Sequence, residues 1–234
     1  MENIKISVVQ FSYKPIEKIK DFESNIKQLI NKTDGSDFVV FPENFTFELM
    51  YLDQRNGING VLKFTNDYIE LFTELAKKKN QYIIAGSHPT EENNRIYNVG
   101  YIFCPDGQHF KHNKTHLHPL ESKWVSPGNS IKIFNTKKAK IGLAICYEIE
   151  FPELVRKLTL MGAEIIFCPS YTVGEHGFWR VRHCCQARAI ENQIYVVHSC
   201  FVGTPLNKAM SGWGRASILS PCESPWPPNG IIAE

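Results

Sequence analysis

The sequence lacks the features that mark several large classes of protein. None of its apolar runs is long enough to cross a bilayer, and its first residues, MENIKISVVQF, lack the charged leader and long apolar core of a signal peptide. The net charge is only +2, with no basic stripe, which indicates neither a nucleic acid nor a membrane surface as a partner. We therefore predict no nucleic-acid partner and no membrane partner.

Motifs for nucleotide binding and for serine hydrolysis are also missing. The chain has no GxGxxG after a strand, no GxxxxGK[ST] and no GxSxG. The seven cysteines are odd in number and irregularly spaced, which fits reduced thiols and a cytoplasmic location better than a disulfide framework. His112, His116 and His118 are closely spaced, but no carboxylate or cysteine set completes a metal site, and we predict no metal.

The periodicity of apolar residues predicts one α/β domain over residues 1–234. There is no internal repeat and no linker rich in Gly or Ser. Strand and helix alternate early and late, with a hairpin section between them, which favours a mixed sheet folded into two layers. Strands are predicted at 4–11, 38–41, 82–86, 95–104, 108–111, 131–134, 140–146, 165–168 and 194–199, and helices at 16–31, 66–79, 152–161 and 178–190.

Cys146 ends an apolar run in KIGLAICYEIEFPEL. The run reads as a buried strand, and Pro152 opens the helix that follows the next turn. Backbone N–H groups and the helix dipole stabilise a thiolate at such a junction. The pattern therefore makes Cys146 a candidate nucleophile, although a free cysteine is also a common small core residue.

Two further charged residues follow predicted strands. Glu43 lies among aromatics in VVFPENFTFE, where burial raises the pKa of a carboxyl and suits it to act as a general base. Lys114 lies in HFKHNKTHLHPLE, where a fixed cation would stabilise an oxyanion. Each also has a simpler interpretation: Glu43 as the cap of a turn and Lys114 as a solvated strand end.

Arg188 and Glu191 are three residues apart in QARAIENQIYVV and share a helix face. A buried ion pair that ties the helix to the sheet, beside Asn192, is a better interpretation than catalysis. Glu148, two residues after Cys146, is expected to join the same network.

Taken together, these segments resemble the nitrilase, or carbon–nitrogen hydrolase, superfamily. FPEN carries Glu43, NKTHL carries Lys114 and GLAICYEIEFPEL carries Cys146, in that order and over nearly the whole chain. The resemblance implies an αββα sandwich with mixed sheets and outer helices. It also implies a Glu-Lys-Cys catalytic set that needs no metal and no organic cofactor.

The resemblance also implies roles for individual residues. Cys146 would be the nucleophile and Glu43 the base, while Lys114 and the backbone N–H of Tyr147 would hold the oxyanion. Glu121, in ESKWVSPG, would orient Lys114 and the substrate amide. Beside Tyr147, the candidates for the wall of the substrate pocket are Tyr171, Thr172 and His176, which follow the predicted strand 165–168.

The resemblance implies hydrolysis of a small linear amide through a Cys146 thioester. Tyr147 stands where nitrile-specific members tend to have Trp, which places the chain on the amidase side. An N-carbamoyl amide hydrolase, a nitrilase and a non-enzymatic binding or redox-sensing module are the alternatives.

The assembly and the C-terminus are also expected to follow the superfamily. We expect a homodimer, or a higher homo-oligomer, that uses the helices near 152–161 and 178–190. Ile231 and Ile232 look like the start of a strand, and we expect the family's further C-terminal strand and tail to be missing here.

Overall fold

The computed structural model describes residues 3–204 and 210–234 as two β-sheets packed face to face between helices. The first sheet has five strands, and they lie across the sheet in chain order. They are β1 (Ile6–Val8), β2 (Phe38–Val40), β3 (Tyr82–Glu92), β4 (Arg95–Phe103) and β5 (His109–Asn113). The first three strands run parallel and the last three form antiparallel pairs, so the sheet is mixed, as predicted.

The second sheet has six strands, with β7, β8 and β9 parallel at its centre. Across the sheet the order is β11 (Ile231–Ala233), β10 (Ser217–Leu219), β9 (Tyr195–Cys200), β8 (Ile165–Ser170), β7 (Lys140–Leu143) and β6 (Ile133–Asn135). The outer pairs are antiparallel. β11 begins at the Ile231–Ile232 pair in which the sequence predicted the start of a strand.

Helices cover the outer faces of both sheets. They are α1 (Ile19–Asn31), α2 (Ile58–Leu62), α3 (Thr65–Lys79), α4 (Pro152–Leu160) and α5 (Gly174–Asn192). Short 3-10 helices span Phe45–Leu52, Glu121–Lys123 and Cys146–Glu150. None of the helices in the described ranges has both the length and the hydropathy that a membrane span needs.

Three apolar layers hold this arrangement together. Phe38 and Ile84 of the first sheet share a core with Ile141 and Phe167 of the second, so the two sheets pack on each other directly. A second core joins the first sheet to α1 and α3, and a third joins the second sheet to α4 and α5. Helix, sheet, sheet and helix form the predicted αββα sandwich.

The structure extends two of the predicted elements. β3 runs on to Glu92 rather than ending near Gly86, because it pairs with β4 through a hairpin turn at Asn93 and Asn94. Both turn residues have positive φ, 51° and 58°, as two-residue hairpin turns require. α5 begins at Gly174, four residues before the predicted start at Phe178.

Candidate active site

Three predicted site residues follow strand ends, and the fold brings them together from both sheets. Glu43 follows β2 and Lys114 follows β5 of the first sheet, while Cys146 follows β7 of the second. The Lys114 ammonium lies 2.7 Å from Glu43 Oε1 and 2.7 Å from Glu121 Oε2. All four side chains are buried, and we call them the Cys146 cluster.

Glu43 also contacts the segment of Tyr171 and the thiol of Cys146. Glu43 Oε2 accepts the Tyr171 N–H at 3.0 Å, and the Glu43 carboxyl also hydrogen-bonds with the Cys146 thiol. The Cys146 sulfur lies 3.6 Å from the Tyr171 carbonyl oxygen. Glu43 therefore contacts both the Lys114 ammonium and the Cys146 thiol.

Asn98 is a member of this site that the sequence analysis missed. Its side-chain amide donates to Glu43 Oε1 at 3.0 Å and to Glu121 Oε1 at 2.6 Å. A donated N–H favours the ionised form of the Glu43 carboxyl. The signal in the sequence is that Asn98, a polar residue, lies within a predicted strand and directly precedes the run Val99–Cys104.

The backbone of Cys146 has a conformation that non-glycine residues rarely adopt. Its φ is +48°, whereas the other non-glycine residues described with positive φ are all Asn or Gln. The chain changes direction here, from the extended Ile145 into the 3-10 helix Cys146–Glu150. This sharp turn places the thiol at the beginning of that helix, where the sequence predicted a helix start only at Pro152.

Burial and neighbouring charges set the ionisation of the cluster. Burial raises the pKa of Glu43, the Lys114 charge lowers it, and Glu121 raises it again, for a net increase. Burial opposes the charge on Lys114, but the two carboxylates outweigh it and raise the pKa of Lys114. Burial and the Glu43 charge raise the pKa of the Cys146 thiol. In the resting site Lys114 is therefore charged and the thiol is neutral.

The four residues expected to line the substrate pocket lie in different surroundings. The Tyr147 ring is half-buried between His118 and Phe151. The Tyr171 hydroxyl donates to the Met210 carbonyl, and the Thr172 hydroxyl donates to the Trp213 carbonyl at 2.9 Å. His176 is exposed in the first turns of α5, outside the buried cluster.

The prediction that Glu148 joins the network of Arg188 is wrong. Glu148 faces His112 and Thr115 instead, because the 3-10 helix turns its side chain toward the loop after β5. Arg188 contacts Glu191 at 3.2 Å and donates to the carbonyls of Ile149 and Glu150. It therefore ties α5 to the 3-10 helix and not to the sheet.

The three closely spaced histidines diverge. His112 contacts Glu148, His116 packs on Phe151, and His118 packs against Tyr147. Across residues 3–204 and 210–234, no group of three or more His, Cys, Asp or Glu side chains is arranged to hold a metal ion.

Comparisons with known proteins identify the family of the chain. The model of the carbon-nitrogen hydrolase family matches residues 5–222. The chain is 41% identical to Probable hydrolase YhcX of Bacillus subtilis (strain 168) over 99% of its own length, and it spans about half, 47%, of that protein. It is 30% identical to Omega-amidase NIT2 of Xenopus tropicalis, with 94% of this chain and 82% of NIT2 covered.

A solved structure extends the likeness to the fold. Nit3 of Saccharomyces cerevisiae, a member of branch 10 of the nitrilase superfamily, superimposes with a TM-score of 0.79 at 26% identity. The match covers 99% of this chain and 85% of Nit3. Because the family model matches most of this chain, the chain belongs to the carbon-nitrogen hydrolase family of the nitrilase superfamily and is a carbon–nitrogen hydrolase.

Proposed function

We propose that the chain hydrolyses the carbon–nitrogen bond of a small linear amide through a thioester on Cys146. The observation that carries the proposal is the contact of Glu43 with both the Lys114 ammonium and the Cys146 thiol. A nucleophile, a base and a fixed cation in one buried site are what acyl transfer from an amide requires. The similarity to Omega-amidase NIT2 supports an amide as the substrate class.

In the first step, Glu43 takes the thiol proton while the Cys146 sulfur bonds to the amide carbon. The carbonyl π electrons move to the oxygen, which becomes an oxyanion. The Lys114 ammonium has three N–H donors and uses two of them on Glu43 and Glu121, so one remains for the oxyanion. The backbone N–H of Tyr147 supplies the second donor.

In the later steps, Glu43 acts as an acid and then again as a base. The oxyanion collapses, the C–N bond breaks, and the Glu43 proton passes to the departing nitrogen, which leaves as ammonia or an amine. Water then attacks the thioester and gives its proton to Glu43. The C–S bond breaks, the carboxylic acid product forms, and the proton returns to the Cys146 sulfur.

Glu121 and the residues beside the cluster take supporting roles in this proposal. Glu121 shares the Lys114 ammonium and orients it toward the substrate carbonyl. Tyr147 carries the oxyanion N–H, and its ring, with Tyr171, Thr172 and His176, contributes to the wall that selects the acyl group.

A substrate panel tests the proposal. We expect ammonia release from linear carboxamides, and slower or no release from N-carbamoyl compounds and nitriles of matched chain length. Added hydroxylamine should intercept the thioester and give a hydroxamate. Ammonia from the carbamoyl or nitrile arm alone would replace the amidase assignment, and no release from any arm would favour a binding module.

We further infer a cytoplasmic homodimer that uses α4 and α5. Leu160 is 80% exposed at the end of α4, and Met161, which follows it, and Ile190 of α5 are also exposed. Light scattering should give twice the chain mass of 26.8 kDa, and Leu160→Lys should shift the protein toward the monomer. A wild-type monomer at micromolar concentration would overturn the dimer.

A further inference from the structure

The carboxylate of Glu148 is fully buried and binds two segments of the chain, residues 112–115 and Ile145. Oε1 accepts the backbone N–H and the hydroxyl of Thr115, each at 2.7 Å. Oε2 accepts the Ile145 N–H at 2.8 Å and lies 2.9 Å from His112 Nε2. We call this arrangement the Glu148 clamp.

Both clamped segments adjoin residues of the Cys146 cluster. Thr115 directly follows Lys114, and Ile145 directly precedes Cys146. Lys114 extends from β5 of the first sheet, whereas Cys146 follows β7 of the second, so no strand pairing relates them. Apolar packing between the sheets is non-directional, but the clamp holds both backbones by short hydrogen bonds to a single carboxylate.

We propose that Glu148 is a positioning residue, which sets the distance between the Lys114 ammonium and the Cys146 sulfur by holding both flanking backbones. The inference rests on the proposed function, in which the oxyanion must meet the ammonium and the thiol at once. A misplacement of about 1 Å in such a site costs on the order of 100-fold in rate. His112 and the donors of Thr115 lower the pKa of Glu148 to about 2 against the effect of burial, so the clamp stays ionised during turnover.

The first test is Glu148→Gln. Glutamine keeps the shape but replaces one acceptor oxygen with an NH2 group, so it cannot accept from both Thr115 and Ile145. On an amide that the wild type hydrolyses, we expect kcat to fall about 100-fold while KM stays within about threefold. The variant should remain folded by circular dichroism and gel filtration.

A second readout needs no substrate. Iodoacetamide alkylation, followed cysteine by cysteine by peptide mass spectrometry, should be about tenfold slower at Cys146 in Glu148→Gln, since the thiol loses its aligned base and cation. Alkylation of the exposed Cys222 should not change. A merely structural role predicts the opposite pattern, in which a loosened core exposes the buried cysteines Cys168, Cys185 and Cys200 together.

Two further variants keep the test decisive. Glu150→Gln is the matched control, because Glu150 lies on the same 3-10 helix but pairs with Arg180 at 2.8 Å, and its kcat should stay within about threefold of wild type. Thr115→Val removes one clamp hydrogen bond and should lower kcat about three- to tenfold. If Glu148→Gln does not fold, Thr115→Val decides the question.

Unchanged kcat and unchanged Cys146 alkylation in folded Glu148→Gln would overturn the proposal, as would unchanged kinetics in Thr115→Val. If the wild type hydrolyses no amide at all, the proposed function fails. The alkylation pattern would still decide the role of Glu148.

Discussion

Glu43 and Glu148 are both buried glutamates close to the same cysteine, yet their carboxyl groups ionise differently. Glu148 accepts hydrogen bonds from Ile145 and Thr115 and faces His112, and its pKa is lowered to about 2. Burial raises the pKa of Glu43, and the Lys114 ammonium, which Glu43 shares with a second carboxylate, Glu121, does not reverse this increase. The partners, rather than burial, decide which carboxyl is a permanent charge and which can carry a proton.

The largest effect we expect concerns the thiol that Glu43 contacts. Cys146→Ala removes the nucleophile and should lower turnover by at least about 10³-fold while the fold is retained. Cys185→Ala is the control, since Cys185 is equally buried in α5 but lies away from Glu43. Ammonia release that survives in Cys146→Ala and disappears in Cys185→Ala would reassign the nucleophile.

Glu43→Gln tests whether Glu43 is the carboxyl that carries the proton. The amide cannot take the thiol proton, so turnover should fall roughly 10²- to 10⁴-fold, with the substrate still bound. Steady-state ammonia release and equilibrium binding of the substrate measure the two parts separately. Glu48→Gln, a buried neighbour in the Phe45–Leu52 helix, should keep its activity, and near-normal turnover in Glu43→Gln would remove the base from the mechanism.

Asn98→Leu alters the ionisation of Glu43 without touching the thiol. Loss of its N–H donors to Glu43 and Glu121 removes a contact that favours the charged carboxylate, so the pKa of Glu43 should rise further. The acid limb of the pH profile of kcat/KM should move to higher pH, with a rate loss of roughly tenfold. An acid limb that stays in place or moves to lower pH would contradict this account.

The smallest effect is on stability and concerns another buried glutamate, Glu48. Glu48 accepts the Lys14 N–H at 2.7 Å, its other oxygen has no partner among the described residues, and burial raises its pKa from 4.5 to about 7. The folded state therefore holds this proton more tightly than the unfolded state. Stability from this group is full below pH 4.5 and declines as the pH rises to about 7.

Glu48→Gln should remove this dependence. Relative to wild type, the variant should gain up to about 3 kcal/mol of unfolding free energy between pH 4.5 and pH 8, measured by urea denaturation at both values. An equal difference between variant and wild type at the two pH values would show that Glu48 does not titrate in this window.

Local sequence patterns were enough to predict most of the elements, but not α2 and β10, and to select three candidate residues after predicted strands. Glu43, Lys114 and Cys146 each follow a short apolar run, and such runs identify buried strands with little help from the rest of the chain. The two-layer α/β architecture followed from the order of these runs. The extra length of β3 did not, because it depends on pairing with β4.

Contacts between distant segments were decided only by the tertiary structure. In the sequence, Asn98 is one polar residue in a predicted strand. Only the fold shows that its amide donates to Glu43, 55 residues away, and to Glu121. In the sequence, Glu148 is only a near neighbour of Cys146. The packing of the two sheets brings Thr115 into hydrogen-bond contact with it. Periodicity predicts which face of an element is buried, whereas the identity of the hydrogen-bond partner across a sheet interface depends on how two separately specified layers align.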